Sequence, residues 1–166
     1  MSNGVSDTPI AERTDKKGNR KIEIIDVAFL NEKGDRVNEV FTGHPLTIQF
    51  TYNKQDGVDL SKMIIACNLG DQIGNATALW VSDEIPHDFS QILGNKFCLH
   101  IDSLNLRPNN YELYYQISLN TTNSSDFCDV LSNAACLSVL NDSFFGDGVI
   151  LKENRGYGTL IKATFK

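Results

Sequence analysis

Apolar and polar residues alternate with a period of two along most of this chain. Turn signals interrupt the alternation roughly every eight to fifteen residues, the pattern of an all-β sandwich. In "LTIQFTYN", Leu46, Ile48, Phe50 and Tyr52 share one side, and Thr47, Gln49, Thr51 and Asn53 the other. In "KFCLHID", Phe97, Leu99 and Ile101 oppose Cys98, His100 and Asp102. The same reading makes strands of "KIEIIDVAFL" and "RVNEVF" around the turn "NEKGD", and of "KMIIACNL" and "NATALWVS" around "GDQIG". It adds Tyr111–Asn120, "AACLSVLN" and a last pair, "GVILK" and "TLIKATF". Only "DEIPHDFSQIL" suggests a short helical turn, and no stretch keeps a 3.6-residue apolar period over three turns. Pro45 and Pro108 stand ahead of strands, where a missing N–H does not interrupt a ladder.

Residues 1–20 are polar, rich in Gly, Ser, Asp and Lys, and without hydrophobic period, so a flexible linker or tail is expected there and one β-sandwich domain over 21–166. A chain of 166 residues suits one domain with a sizeable core. The net charge of −6 argues against a nucleic-acid or anionic-membrane partner. No apolar run approaches the ~20 residues of a membrane span, and the N-terminus lacks the apolar core of a signal peptide. Cys67, Cys98, Cys128 and Cys136 show no Cys-x-x-Cys spacing. They are expected as free, buried thiols in a reducing cytoplasm.

Catalytic signatures are absent. His44, His87 and His100 fall in a turn, a loop and a strand with no metal-binding spacing, so no metal is expected. The sequence holds no Gly-x-Ser-x-Gly elbow, dinucleotide fingerprint or phosphate loop, and needs no cofactor. Asp126 and Asp129 offer oxygens to a hard cation, but solvated loop charges are the commoner reading of such a pair.

The second side of Tyr111–Asn120 poses a different question. It sets Tyr114 among Glu112, Gln116 and Ser118, an aromatic ring beside planar donors and acceptors. Sugars, with apolar C–H faces and rims of hydroxyls, are bound by that mixture. Thr47 and Gln49 would extend the surface if their strand lies in the same sheet; Trp80 and His100 are further candidates. Each has a plainer reading: an ordinary wet sheet face, a partly buried core Trp, an exposed strand polarity. In "NDSFFGDG", Phe144 and Phe145 cannot both point to one side of a strand; one would anchor the loop while the other covers a partner, or both would tuck into one core edge.

The runs "FTGHPLTIQFTY", "LGDQIGNAT", "LRPNNYELYYQISL" and "DVLSNAACLSVLNDSFFGDGVILKENRGYG" occur here in one order and spacing. In that order they resemble the C-terminal domain of the ATPase subunit of O-antigen polysaccharide ABC exporters, the Wzt type, over Lys21–Lys166. Gly43-His44-Pro45 and Asn109-Asn110 depart from the family pattern but suit turns. The resemblance implies an immunoglobulin-like antiparallel β-sandwich in the cytoplasm, held at the inner membrane by the exporter's nucleotide-binding domain and membrane subunit. It also implies non-catalytic binding of O-antigen polysaccharide near its nonreducing terminus. A homodimer exchanging the last strand is implied too, with Phe144, Phe145, Leu160, Ile161 and Phe165 at its seam. Two other functions stay open: a purely structural dimerisation module, and a small glycan-processing enzyme built on carboxylates such as Glu112 and Asp102.

Overall fold

Two-residue alternation becomes two facing sheets in the computed structural model, which describes residues 6–166. In chain order the strands are β1 (Ile22–Leu30), β2 (Arg36–Val37), β3 (Glu39–Phe41), β4 (Leu46–Lys54) and β5 (Met63–Gly70). They continue with β6 (Ala76–Val81), β7 (Lys96–Ile101), β8 (Asn109–Leu119) and β9 (Phe127–Leu140). One sheet has four strands in the order β2-β1-β4-β7, the other five in the order β3-β9-β8-β5-β6. The expected helical turn between β6 and β7 is present as two 3-10 turns, Ser82–Glu84 and Phe89–Gln91.

The core lies between the sheets. Ile48 and Phe50 of β4 face Leu113, Tyr115 and Ile117 of β8, all buried. Phe50 stacks on Phe97 of its own sheet at 5.1 Å between ring centroids and meets Tyr115 of the opposite sheet edge-on at 6.3 Å. Burying rings of this size on both inner faces is what holds two amphipathic sheets together.

Three sequence expectations need correction. "RVNEVF" is not one strand: β2 pairs antiparallel with β1, whereas β3 pairs parallel with β9 in the other sheet, so the chain changes layers at Asn38. β9 begins at Phe127, seven residues before the expected "AACLSVLN". "GVILK" and "TLIKATF" form no strand. Left-handed backbone at Gly146, Asp147, Gly148, Asn154 and Gly156 folds the segment through turns, and Thr159 makes one isolated bridge to Leu106. Of the cysteines, all free, Cys67 and Cys128 are buried but Cys98 and Cys136 are exposed.

The largest departure is at the N-terminal end. Residues 10–20, expected as linker, are packed against the sandwich, and the boundary drawn at Lys21 falls inside structured chain. Ile10 is buried, and Lys17 exchanges backbone hydrogen bonds with Val130 of β9. Gly18 lies so close to β9 that an added Cβ would stand 2.4 Å from the Cys128 carbonyl, and its φ of +120° also favours glycine. The cause is electrostatic. Asp129 of β9 points between the sheets with no exposed surface, and the Lys16 ammonium, equally buried, sits 3.3 Å from it. Asp129 also accepts hydrogen bonds from the Ile24 N–H at 2.8 Å and the Tyr115 hydroxyl at 3.2 Å, while Lys16 donates to the Ile24 carbonyl at 2.6 Å. Arg20 and Glu23 close the cluster. Burial pushes the Asp129 carboxyl above its usual range despite these partners, so the acid has no surplus of stabilisation to spare.

Removing one member of a buried pair strands the other. We therefore expect Lys16→Met to destabilise the domain by about 3 kcal/mol in urea denaturation. Lys16→Met with Asp129→Asn should recover most of that loss. An additive double variant would show that the two charges do not compensate each other.

Candidate functional site

β8 and β9 do not keep register along their length. Leu113 pairs with Ala135 and Tyr115 with Leu131, so Tyr114 alone stands against Ser132, Asn133 and Ala134. The two extra residues form a bulge, and Asn133 takes a left-handed φ of 53° that Asn tolerates better than most residues. On the other flank, Tyr114 pairs with Asn68 and Glu112 with Gly70 of β5. The turn after Gly70 tucks in tightly: a Cβ there would lie 2.4 Å from the Asn75 carbonyl oxygen. Bulge and turn together leave a hollow of about 250 Å³ on the outer face, lined by Asn68, Asp71, Glu112, Tyr114, Ser132 and Asn133. Arg13 braces it from behind, donating to the Asn133 carbonyl at 3.2 Å and the Ser132 carbonyl at 3.3 Å while Asp15 grips its other edge.

The chemistry of the hollow is polar and acidic. The Tyr114 hydroxyl donates to Gln116 Oε1 at 3.1 Å, which fixes the ring and leaves the Gln116 amide nitrogen as a donor. Asp71 is occupied by its own turn, accepting from the Ile73 and Asn75 N–H groups and from the Asn75 side chain. Those contacts, led by Asn75, hold its carboxyl below the usual range. Glu112 is only 7% exposed and, among the described residues, accepts no hydrogen bond; burial and then the nearby Asp71 charge push its carboxyl up.

The eight predicted sugar-binding residues separate. Glu112, Tyr114 and Gln116 share the outer face of the five-stranded sheet, as the alternation implied. Ser118 is on that sheet but 1% exposed, enclosed beside Ile64 and Phe127, and is out of reach of a ligand. Thr47, Gln49 and His100 belong to the four-stranded sheet, where Thr47 Oγ1 meets His100 Nδ1 at 2.9 Å, so they do not extend the Tyr114 surface. Trp80 pairs with Cys67 and turns inward. It lines a second, more apolar cleft of about 270 Å³ between edge strands β6 and β7, with His87, Phe89, Phe97 and His100. Asp102 follows β7, on the sheet opposite Glu112, so those two carboxylates do not form a pair across one site. Asp129 is engaged with Lys16, not open to a cation, and no group of three or more metal-ligating side chains occurs among the described residues.

Sequence reasoning missed Asn68, Asp71, Ser132 and Asn133. The polar pair Ser132-Asn133, set inside the apolar run "VLSNAACL", was the available signal for a bulge.

Comparison with known proteins shows the family of the chain. The model of the Wzt C-terminal domain matches residues 13–151, most of the chain. The chain belongs to the Wzt C-terminal domain family. The match begins at Arg13, ahead of the boundary expected at Lys21 and inside the packed N-terminal segment. Among solved structures, the crystal structure of the C-terminal domain of Wzt superposes with a TM-score of 0.67 at 14% identity, covering 93% of this chain and 89% of that one. At that identity the likeness shows a shared fold for the Wzt C-terminal domain. Comparison with curated protein sequences gives no match.

Gly70→Ala tests how the hollow is formed. The added methyl must displace the Asn75 carbonyl, and we expect a loss of about 1–3 kcal/mol. Shifts in the NMR signals of Asn68 and Tyr114 should accompany it. Unchanged stability would mean that the turn approaches β5 less closely than described.

Proposed function

We propose that this chain is the non-catalytic substrate-recognition domain of an O-antigen ABC exporter, holding the polysaccharide near its nonreducing end in the hollow at Tyr114. The observation that carries this reading is a half-buried aromatic ring, held by Gln116, set among side chains whose polar groups are not consumed by the fold: Asn68, Asn133 and Glu112. A sugar ring needs a face to stack on and amides or carboxylates for its hydroxyls, and both are present within one concavity. The same geometry supports binding over hydrolysis. Glycoside cleavage needs two free carboxylates across the scissile bond, and Asp71, the acid beside Glu112, is committed to its turn. In this reading ATP hydrolysis belongs to the exporter's nucleotide-binding domain, and delivery across the inner membrane to its membrane subunit.

A homodimer would raise avidity for a long polymer. It is supported by the segment after Leu160, where Ile161 is 80% exposed and Phe165 wholly so, while Phe145 is also open to solvent. Phe144 and Leu160, in contrast, are buried within their own chain, with the Lys162 ammonium over the Phe144 ring. The same exposed segment favours the second reading, a dimerisation module without direct glycan contact.

The two readings separate cleanly. Titration with the purified O-polysaccharide of the source strain should saturate, and Tyr114→Ala should weaken it about tenfold, the equivalent of ~1.4 kcal/mol. Ile161→Asp with Phe165→Asp should leave the affinity per site intact. No saturable binding by the wild-type domain, combined with loss of assembly in the tail variant, would establish the dimerisation module and end the glycan reading, whereas full capture by Tyr114→Ala would remove that ring from the site.

A further inference from the structure

We infer that Glu112 sets the charge selectivity of the Tyr114 hollow, which takes a sugar unit presenting a hydrogen-bond donor, a protonated amine above all, and turns away acidic sugars. The inference rests on the glycan-binding reading and adds the class of sugar.

Three observations lead to it. First, the Glu112 residue is largely enclosed, yet its carboxylate accepts no hydrogen bond among the described residues and its oxygens open onto the concavity. A group left in that condition is suited to a partner that arrives from outside. Second, no Lys, Arg or His lines the hollow, and Arg13, behind it, is spent on Asp15 and two backbone carbonyls. The groups facing Glu112 are Asp71 from the β5–β6 turn, Cys136 across the β8–β9 ladder and Tyr157 from the C-terminal segment. None is cationic. Third, Asn68, Asn133, Ser132 and Tyr114 each carry a donor and an acceptor and do not distinguish charge. Ionised Glu112 accepts only.

A ligand ammonium therefore gains charge-assisted hydrogen bonds to Glu112, a hydroxyl gains an ordinary one, and a carboxylate or phosphate meets two negative groups with no counter-charge. A hard cation fits less well than a sugar, since only two carboxylates are at hand and the turn already occupies Asp71.

The apo domain should register the cost of this arrangement. The folded carboxyl of Glu112 is raised above its unfolded value, so protonation favours the fold; stability is full below the unfolded pKa and declines as pH rises through the folded one. At neutral pH the ionised group works against the fold. Glu112→Gln should consequently raise Tm while damaging recognition.

The test uses three matched methyl glycosides as competitors of the purified O-polysaccharide at pH 7, over several ring stereochemistries: a 2-amino-2-deoxyhexose, the parent hexose and the hexuronic acid. For the wild-type domain we expect the amine to compete about tenfold better than the hexose, and the acid least. In Glu112→Gln the amine advantage should vanish and the acid should draw level with the hexose. Lowering the pH through the Glu112 titration should erase the same advantage in the wild type. An unchanged ranking in the variant, no ranking in the wild type, strongest competition by the acid, or a requirement for added Ca²⁺ would overturn the inference. A fall in Tm for Glu112→Gln would do so as well, by showing that the carboxylate has a partner in the fold. If the polysaccharide saturates the wild type but not Tyr114→Ala, the site reading stands and the ranking alone judges Glu112. If it binds neither, both fall.

Discussion

Strand β9 presents three residues where β8 presents one, and the outer face of the larger sheet is shaped by that mismatch. A ladder in perfect register would place a β9 side chain directly beside Tyr114 and leave a flat, wet surface. With Ser132, Asn133 and Ala134 facing a single position, the strand must bend away, and the ring of Tyr114 becomes the floor of a depression rather than one member of a row. The backbone freed by the bend is not left bare, since the Arg13 guanidinium takes up its carbonyls. The recognition surface is thus a product of imperfect pairing, stabilised from the side away from solvent.

Two buried carboxylates of the same sheet show how differently one chemical group can be used. Asp129 and Glu112 are both pushed up by loss of water. Asp129 is surrounded by an ammonium, a backbone N–H and a phenol, and in return fastens the N-terminal segment to the sandwich. Glu112 faces Asp71, Cys136 and Tyr157, none of them cationic. The first carboxylate has its counter-charge within the chain, whereas the second faces an open concavity without one.

How much of this was legible beforehand depended on distance along the chain. The alternation in β4 and β8 is local, so their inner faces, Ile48 and Phe50 against Leu113, Tyr115 and Ile117, could be read directly. Sheet membership is not local. Thr47 and Tyr114 obey the same period, and only strand order reveals that they look in opposite directions. Trp80 likewise carries no mark of its side until it is paired with Cys67. The N-terminal segment was opaque for a sharper reason. Lysine usually signals solvent, and the partner that buries Lys16 lies more than a hundred residues away in the sequence. Tyr114, Gln116 and Glu112 were found because ring and hydrogen-bonding groups alternate on one short strand; Asn68 and Asp71 come from a different hairpin and gave no such cue.

The attachment of residues 16–20 to β9 has a mechanical side. Tension along the N-terminal segment is borne first by the Arg13 hydrogen bonds to Ser132 and Asn133, then by the Lys17–Val130 hydrogen bonds and the Lys16–Asp129 clasp, and it enters the sandwich through β9. The bend at Ser132 and Asn133 lies only two residues further along that strand. A tug on the front of the domain is therefore felt at the rim of the hollow before it reaches the opposite layer.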